Sequence, residues 1–280
     1  MKIASFVKDG IESYGPIIGS QVLDYGFALQ DSNPTLRDFI AAGGFKQQPQ
    51  DQLKKYDLSE IKFLVPASKL SKIICIGLNY KAHAAEGGFK IPEFPQVFTR
   101  FISSFVANGE ALIRPKMSND FDFEGELAIV MGKPARHVVV ENALDYVFGY
   151  TCFNDGSIRD IQFNHSLIAG KNFPSSGSMG PYIVTADEIG DPASLYLTTR
   201  LNAQIVQSKG LDDLICSVPQ IISYISSIIQ LEPGDIIATG TPEGVGFARK
   251  PPLWMRPGDT IEIEISKIGV LKNNVSVEIE

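Results

Sequence analysis

One stretch, Asp122-Phe123-Glu124-Gly125-Glu126-Leu127, leads into a predicted β-strand, Glu124–Met131, which starts with two acidic residues and continues as an apolar run. Side chains of a strand alternate between its two faces, so Glu124 and Glu126 project from the same face about 7 Å apart along the chain. Two carboxylates at that distance repel each other unless a cation or water lies between them. Alternating acids are also common on a solvated strand face, so this pair alone leaves both interpretations open.

The segments on either side of this stretch predict further strands and few helices. Ile73–Ile76 and Val147–Phe153 are short apolar runs, and Thr260–Ser266 alternates isoleucine with acidic residues, as a half-buried strand does. One helix is clear, because Ser217 begins a capping-box pattern ahead of an isoleucine stripe within Val218–Gln230. Many short strands with few helices predict an α+β, mostly β architecture rather than a doubly wound sheet.

The chain is predicted to divide into two parts. Residues 1–65 form a small N-terminal α+β module, and residues 66–280 form the larger domain that contains the candidate site residues. In the first part, Met1–Val7 and Pro16–Asp24 resemble short strands. The polar stretch Gln47–Lys55 is the best candidate for a linker.

Composition and charge restrict the classes of function. The chain is 44% hydrophobic and 20% charged, as in an ordinary globular protein, and its net charge of -7 argues against a nucleic-acid partner, which would need a basic face. No apolar stretch approaches the ~20 residues of a membrane span, and the first residues lack the apolar core of a signal peptide. We therefore expect a cytoplasmic protein without a membrane partner, and the few, widely spaced cysteines are expected to be buried, reduced thiols.

A second candidate site lies in the segment Asn79–Glu86. If this segment is helical, His83 and Glu86 are three positions apart and share a face. A carboxylate bonded to an imidazole fixes its tautomer and makes it a better base, as the activation of water requires. An ordinary surface pair is the simpler alternative.

Three further features could contribute to a site. Asp155 closes an apolar strand ahead of Gly156, Lys171 follows a glycine, and Thr239–Gly246 is a glycine-rich turn after a buried strand. Backbone N–H groups of such a turn could hold a carboxylate. Each feature also has a simple structural explanation: a turn cap, a surface lysine and ordinary turn chemistry.

Taken together, these features resemble the fumarylacetoacetate hydrolase family from about Lys72 to Val275. The matching stretches, in the family's order and with similar spacing, are Ile76-Gly77-Leu78-Asn79-Tyr80 with His83 and Glu86, Phe123–Leu127, Asn154-Asp155 with Arg159, Asp160 and Gln162, Gly170-Lys171, Gly180-Pro181, Gly234–Ile236 and Thr239–Pro242. The resemblance implies a mixed β-sandwich roll of the family's C-terminal-domain type, which is usually dimeric.

The resemblance also implies a metal site. The positions that match Glu124, Glu126 and Asp155 bind Mg²⁺ or Mn²⁺ in the family. Three carboxylates without a nearby thiolate suit such hard cations. Two adjacent oxygens of a 2-oxo acid could replace two waters on the cation, which would then act as a Lewis acid.

Other positions carry implied roles in catalysis and substrate binding. His83 and Glu86 match the catalytic pair on a short lid helix, and Lys171 matches a residue that stabilises negative charge. Further residues are expected to contact substrate: Gln162, Thr241 and Arg159. The loop Gly87–Pro95 is expected to belong to the lid and to influence specificity.

The leading functional prediction is metal-dependent hydrolysis of a C–C bond in a small acylpyruvate-like diketo acid. His83, oriented by Glu86, would deprotonate a water, and Lys171 would balance the developing oxyanion. The alternatives use the same site: isomerisation of a hydroxymuconate-type dienoic diacid, or decarboxylation or tautomerisation of oxaloacetate. A non-catalytic binding protein is disfavoured because the His–Glu pair and the three expected ligands are intact.

The chain departs from the family pattern at two positions. Leu78 stands where some acylpyruvate-specific members have arginine, and the change removes one candidate ligand for a substrate carboxylate. Ile158 stands where alanine is more usual.

We also expect a homodimer. Aromatic residues of the stretch Pro95–Val106 are candidates for its interface: Phe98, Phe101 and Phe105.

Overall fold

The computed structural model describes residues 1–46, 49, 53–67 and 71–279. The strands in these residues are β1 (Lys2–Lys8), β2 (Ile11–Ile18), β3 (Gln21–Leu23), β4 (Lys55–Asp57), β5 (Lys62–Phe63), β6 (Ile73–Gly77), β7 (Gln96–Arg100), β8 (Phe105–Val106), β9 (Ala111–Arg114), β10 (Phe121–Asp122), β11 (Gly125–Met131), β12 (Val147–Asn154), β13 (Ser157–Ile158), β14 (Gly177–Thr185), β15 (Tyr196–Leu201), β16 (Gln204–Gly210), β17 (Ile236–Ala238), β18 (Thr260–Ile265) and β19 (Gly269–Val277). The α-helices are α1 (Tyr25–Ala28), α2 (Leu36–Ala41), α3 (Lys81–Glu86), α4 (Arg159–Asn164), α5 (Leu167–Lys171), α6 (Ala186–Ile189) and α7 (Val218–Ile228).

The strands form one large mixed sheet, a smaller sheet and a two-stranded ribbon. Along the large sheet the order is β4-β3-β2-β1-β14-β12-β11-β17-β6-β7, with β5 beside β1 and β8 beside β14. The smaller sheet has the order β16-β15-β18-β19-β9, and β10 pairs with β13 in the ribbon. The β17–β6 and β19–β9 pairs are parallel, so both sheets are mixed.

The two sheets enclose the main core, and β11 lies at its centre. All seven residues of β11 are buried, because its two faces contact different apolar clusters. Leu127 and Ile129 pack with Leu197 of β15 and Ile263 of β18, whereas Val130 packs in a second cluster on the other face. The predicted α+β, mostly β architecture with a mixed β-sandwich is confirmed.

Helix α7 has the predicted start. Ser217 and Gln220 form the capping box, and Ile221 and Ile225 are fully buried in the core between the sheets. The helix ends at Ile228, slightly earlier than predicted. No helix in the described part of the chain is long and apolar enough to cross a membrane.

The first strands of the chain extend the large sheet. β1 pairs with β14, where Lys2 lies opposite Val184, and also with β2 and β5. The predicted strand Pro16–Asp24 is interrupted by a turn at Gly19, which has a φ of 61°. The predicted linker Gln47–Lys55 lies largely outside the described residues, and the division into 1–65 and 66–280 stays a prediction.

The aromatic residues suggested for a dimer interface differ in burial. Phe98 and Phe105 are each 8% exposed within the single chain, whereas Phe101 is 57% exposed. Two of the three therefore pack inside the protomer, and only Phe101 is available at its surface. The homodimer itself stays a prediction.

Candidate active site

Pairing of β11 with β12 brings together carboxylates that are distant in sequence. The two strands are antiparallel with Gly125 opposite Asn154, and the Asp155 N–H donates to the Glu124 carbonyl at 2.8 Å. Glu124, Glu126 and Asp155 are all buried, and each offers an oxygen within 4.8 Å of the others. The three predicted ligands thus converge on one point.

This donor set fits a hard divalent cation. Mg²⁺ and Ca²⁺ take oxygen ligands at about 2.0–2.6 Å, so two oxygens on opposite sides of one ion lie about 4–5 Å apart. The separation within this cluster reaches no more than 4.8 Å, and every donor is a carboxylate oxygen. Glu124, Glu126 and Asp155 would be the protein ligands of such an ion.

Two buried cations balance Glu124. Lys171, at the end of α5, donates from Nζ to Glu124 Oε2 at 2.6 Å and to Asp155 Oδ2 at 2.7 Å. Arg159, at the start of α4, donates from Nη2 to Glu124 Oε1 at 2.5 Å. Burial by itself would raise the pKa of Glu124, but the opposing attraction of Lys171 and Arg159 lowers it to about 2. Glu124 is therefore a carboxylate in the folded protein.

Glu126 has the opposite electrostatic environment. Its pKa is raised well above the usual value, first by burial and then by repulsion from Asp155 and Glu124. The main-chain N–H of Gly240 donates to its Oε2 at 2.8 Å. Gly240 has a φ of 96°, and a Cβ there would lie 2.9 Å from the Ile76 carbonyl, so this position favours glycine. A cation at the cluster would relieve the repulsion that Glu126 experiences.

The glycine-rich turn Thr239–Gly246 holds carboxylates, as its sequence indicated. Besides Gly240, the N–H of Gly244 donates to Glu86 Oε2 at 2.8 Å, and the N–H of Gly246 donates to Asp122 Oδ1 at 2.7 Å. All three acceptors belong to the protein itself. The turn therefore fixes side chains on three different segments around one site.

The predicted His–Glu pair forms on α3. His83 Nδ1 lies 2.9 Å from Glu86 Oε1, and His83 is buried. Because Glu86 also accepts from Gly244, the pair is tied to the turn as well as to its own helix. The bond at Nδ1 orients the ring and leaves Nε2 as the nitrogen available to a bound molecule.

Two further residues organise the site and were not predicted as site residues: Asp122 and Arg100. Asp122 is buried and accepts from Arg159 Nε at 2.8 Å, and Arg100 donates from Nη1 to Asp155 Oδ1 at 2.7 Å. A signal existed for Arg100, since it shares a strand face with the apolar Phe98 in β7. Asp122 stands in the stretch that predicted the metal site, but β10 ends there and its side chain belongs to the Arg159 network.

One cavity of about 220 Å³ collects the predicted residues. It is lined by His83 of the predicted catalytic pair, by the three expected ligands, by Lys171 and by the three expected substrate contacts: Gln162, Thr241 and Arg159. Thr241 Oγ1 donates to the Gly125 carbonyl at 2.9 Å, and Arg159 Nη1 donates to Gln162 at 2.9 Å. The catalytic and substrate roles of these residues stay predictions, but their positions around one cavity agree with them.

The fold and the site together define a class of enzymes, those with a mixed β-sandwich and a buried three-carboxylate cluster at one end of its central strands. The model of the fumarylacetoacetate hydrolase C-terminal domain matches residues 72–276. The chain belongs to the fumarylacetoacetate hydrolase family, as its motifs indicated.

Similar proteins span several activities. The chain is 42% identical over 236 residues to the oxaloacetate tautomerase YisK of Bacillus subtilis, covering 82% of this chain and 78% of the relative. A fumarylacetoacetate hydrolase from Exiguobacterium antarcticum superimposes with a TM-score of 0.88 at 33% identity, covering 99% of this chain and 100% of the other. Maleylpyruvate hydrolase from Sphingobium sp. SYK-6, solved with manganese(II) and pyruvate, gives a TM-score of 0.81 at 29% identity, covering both chains fully.

Proposed function

We propose that this enzyme interconverts the keto and enol forms of a small 2-oxo acid in a reaction that requires Mg²⁺ or Mn²⁺. The observation that carries the proposal is the convergence of a buried three-carboxylate cluster and a His–Glu pair on one small cavity. Its 220 Å³ lie below the roughly 300–1,000 Å³ typical of pockets for drug-sized ligands, which favours a small substrate. The relative named oxaloacetate tautomerase makes oxaloacetate the first compound to test.

The three carboxylates and Lys171 would bind and polarise the substrate. When bound, a divalent cation at Glu124, Glu126 and Asp155 would supply Lewis-acid stabilisation of negative charge on the substrate oxygens. Lys171 adds a buried ammonium group, 2% exposed, within hydrogen-bonding distance of two of these ligands. A positive charge fixed at a buried position favours the developing negative charge at the C2 oxygen.

His83 would move the proton. In the direction from keto to enol, a proton leaves C3, the C3–H electron pair becomes the C2=C3 double bond, the π electrons of C2=O move to the oxygen, and that oxygen takes up the proton that the base releases. His83 Nε2 would accept the C3 proton while Glu86, 2.9 Å from Nδ1, holds the ring in place. The reverse reaction returns the proton to C3, so no oxidant or reductant is needed.

Hydrolysis of a C–C bond in an acylpyruvate is the second candidate. The same His–Glu pair would deprotonate a water instead of C3, and a similar solved structure is named maleylpyruvate hydrolase. Isomerisation of a dienoic diacid, the other predicted alternative, is again a proton transfer along a conjugated acid. All three substrates would bind through oxygens to the same carboxylate cluster, so the reactions must be separated by which substrate is consumed and which product forms.

One substrate panel tests these candidates. Purified protein with Mg²⁺, Mn²⁺ or a chelator is mixed with the enol forms of oxaloacetate, an acylpyruvate and a dienoic diacid, and the loss of ultraviolet enol absorbance and the products are measured. We expect the ketonisation of oxaloacetate to exceed the uncatalysed rate only with metal. His83→Asn should abolish the excess rate, whereas His137→Asn, the same change at an exposed histidine outside the cavity lining, should not. An uncatalysed rate under every metal condition contradicts the proposal, and cleavage products without ketonisation identify a hydrolase.

A further inference from the structure

Part of the cavity lining is aromatic and exposed. Phe163 and Phe247 pack edge to face with ring centroids 5.3 Å apart, and Phe89 lies 6.5 Å from Phe247. Phe163 is 52% exposed and Phe89 is 42% exposed, although both line the cavity. We call these three rings the aromatic wall. An exposed apolar cluster at the edge of a cavity marks a surface that a ligand covers.

Aliphatic residues add to this apolar side of the lining. Leu78 and Leu167 also line the cavity, and neither offers a charged or polar side-chain contact. Phe89 comes from the loop after α3, so the wall is built from three separate segments of the chain. Their convergence makes the wall a property of the folded site and not of one hydrophobic stretch.

The charges of the buried site leave no cation for a second substrate carboxylate. Among the described residues, the cluster contains three cations and four carboxylates: Arg100, Arg159 and Lys171 with Asp122, Glu124, Glu126 and Asp155. With a divalent cation added, its formal charge becomes +1, which the C1 carboxylate of a 2-oxo acid neutralises. A second carboxylate, such as the one on C3 of oxaloacetate, would have to stay in contact with solvent, because burying it without a partner is costly.

We infer that the substrates of this site include 2-oxo acids with an uncharged, aryl-sized group on C3, which packs against the aromatic wall. This inference rests on the proposed function, because it specifies the substituent next to the carbon that exchanges its proton. Ring-on-ring contact with Phe163 and Phe247 would bind such a group, and the single C1 carboxylate would match the charge of the cluster. The aromatic wall is therefore a determinant of specificity.

Two substrates that differ only at C3 test the inference. Oxaloacetate carries a carboxylate on C3 and phenylpyruvate carries a phenyl ring, and kcat/KM is measured for the enol of each with Mn²⁺. We expect the value for phenylpyruvate to lie within tenfold of that for oxaloacetate or above it. We define the ratio as kcat/KM for phenylpyruvate divided by kcat/KM for oxaloacetate. In Phe163→Ala this ratio should fall roughly three- to tenfold, the effect of losing one aromatic contact. Phe163→Leu should restore part of it.

Controls separate this inference from the proposed function. Phe27→Ala removes an equally exposed phenylalanine, 50% exposed on α1 and outside the cavity lining, and should leave the ratio unchanged. Turnover of oxaloacetate with a ratio more than tenfold below one, or with a ratio that Phe163→Ala does not lower, overturns the inference and leaves the proposed function intact. If neither enol is turned over, the proposed function fails, and calorimetric binding of phenylpyruvate decides the inference: weaker binding to Phe163→Ala supports it, and equal or absent binding overturns it.

Discussion

Replacing Asp122 with asparagine should destabilise the protein, because this side chain is a fully buried hydrogen-bond acceptor. Its Oδ1 accepts from the N–H groups of Phe123 at 2.8 Å and Gly246 at 2.7 Å, and its Oδ2 accepts from Arg159 Nε at 2.8 Å and from the Phe247 N–H at 3.1 Å. An asparagine can keep the first two bonds through its amide oxygen. Its NH₂ group would then face two donors, Arg159 and the Phe247 N–H, and the charge that pairs with Arg159 would be lost.

The size of the destabilisation in Asp122→Asn follows from the burial of this ion pair. Removing one partner of a buried ion pair costs about 3–5 kcal/mol, and the lower value applies here because Arg159 keeps its bond to Glu124. Unfolding entropy of about 2.1 cal/mol/K per residue gives, for 280 residues, a shift in melting temperature of roughly 2 °C per kcal/mol. Asp122→Asn should therefore lower the melting temperature by about 5–6 °C.

Scanning calorimetry at neutral pH checks this value against a surface control. Glu262→Gln makes the same carboxylate-to-amide change in a partly exposed surface pair, where Glu262 Oε1 lies 2.8 Å from Lys272 Nζ. Surface pairs contribute about 0–1 kcal/mol, so the control should shift the melting temperature by less than about 2 °C. A shift in Asp122→Asn no larger than that of the control would refute the assignment of Asp122 as a buried organising residue.

Four further expectations concern the metal site, the base, the thiols and assembly. Glu126→Gln should abolish metal-dependent activity. Because the raised pKa of Glu126 disfavours its charged form in the fold, the variant should also raise the melting temperature of the metal-free protein at neutral pH. This increase in melting temperature should shrink as the pH falls and the native carboxyl takes up its proton. His83→Asn should lower kcat by about 10²–10⁴ while Mn²⁺ affinity, measured by calorimetry, stays unchanged. Burial raises the pKa of the Cys152 thiol to about 12 and that of Cys75 well above its usual value, so a thiol reagent at pH 8 should label at most the partly exposed Cys216 until the protein is unfolded. Light scattering at micromolar concentration should give twice the chain mass, and a mass near 30.6 kDa would contradict the homodimer.

Some predictions from sequence succeeded because they concerned local patterns. The buried run after Glu124 became β11, and the alternation in Thr260–Ser266 became β18, with Ile261, Ile263 and Ile265 buried. The capping box at Ser217 started α7 as expected. Side-chain period and helix capping depend on neighbours in sequence, so they can be read before the fold is known.

The assembly of the site from distant segments could be inferred only through the family resemblance. Nothing in the spacing of Asp155 from Glu124 shows that an N–H of one donates to a carbonyl of the other. Asp122, Glu124 and Glu126 follow the same period of two, yet Asp122 ends β10 and Glu126 lies in β11, because the chain leaves one strand before it enters the next. The Asp122 carboxylate binds Arg159 and main-chain N–H groups and is not one of the three clustered carboxylates. Arg100 was not predicted as a site residue, because its partner Asp155 lies much later in the chain.

The sequence by itself determined which carboxylates are candidates, the strand β11 that contains Glu126, and the helix that carries His83 and Glu86. Only the tertiary structure decided how the carboxylates differ from one another. Glu124 meets Lys171 and Arg159, which lower its pKa to about 2, whereas Glu126 meets Asp155 and Glu124, which raise its pKa. The physical reason is that the attraction or repulsion between charges depends on their separation in space and on burial, and antiparallel pairing and helix packing set both.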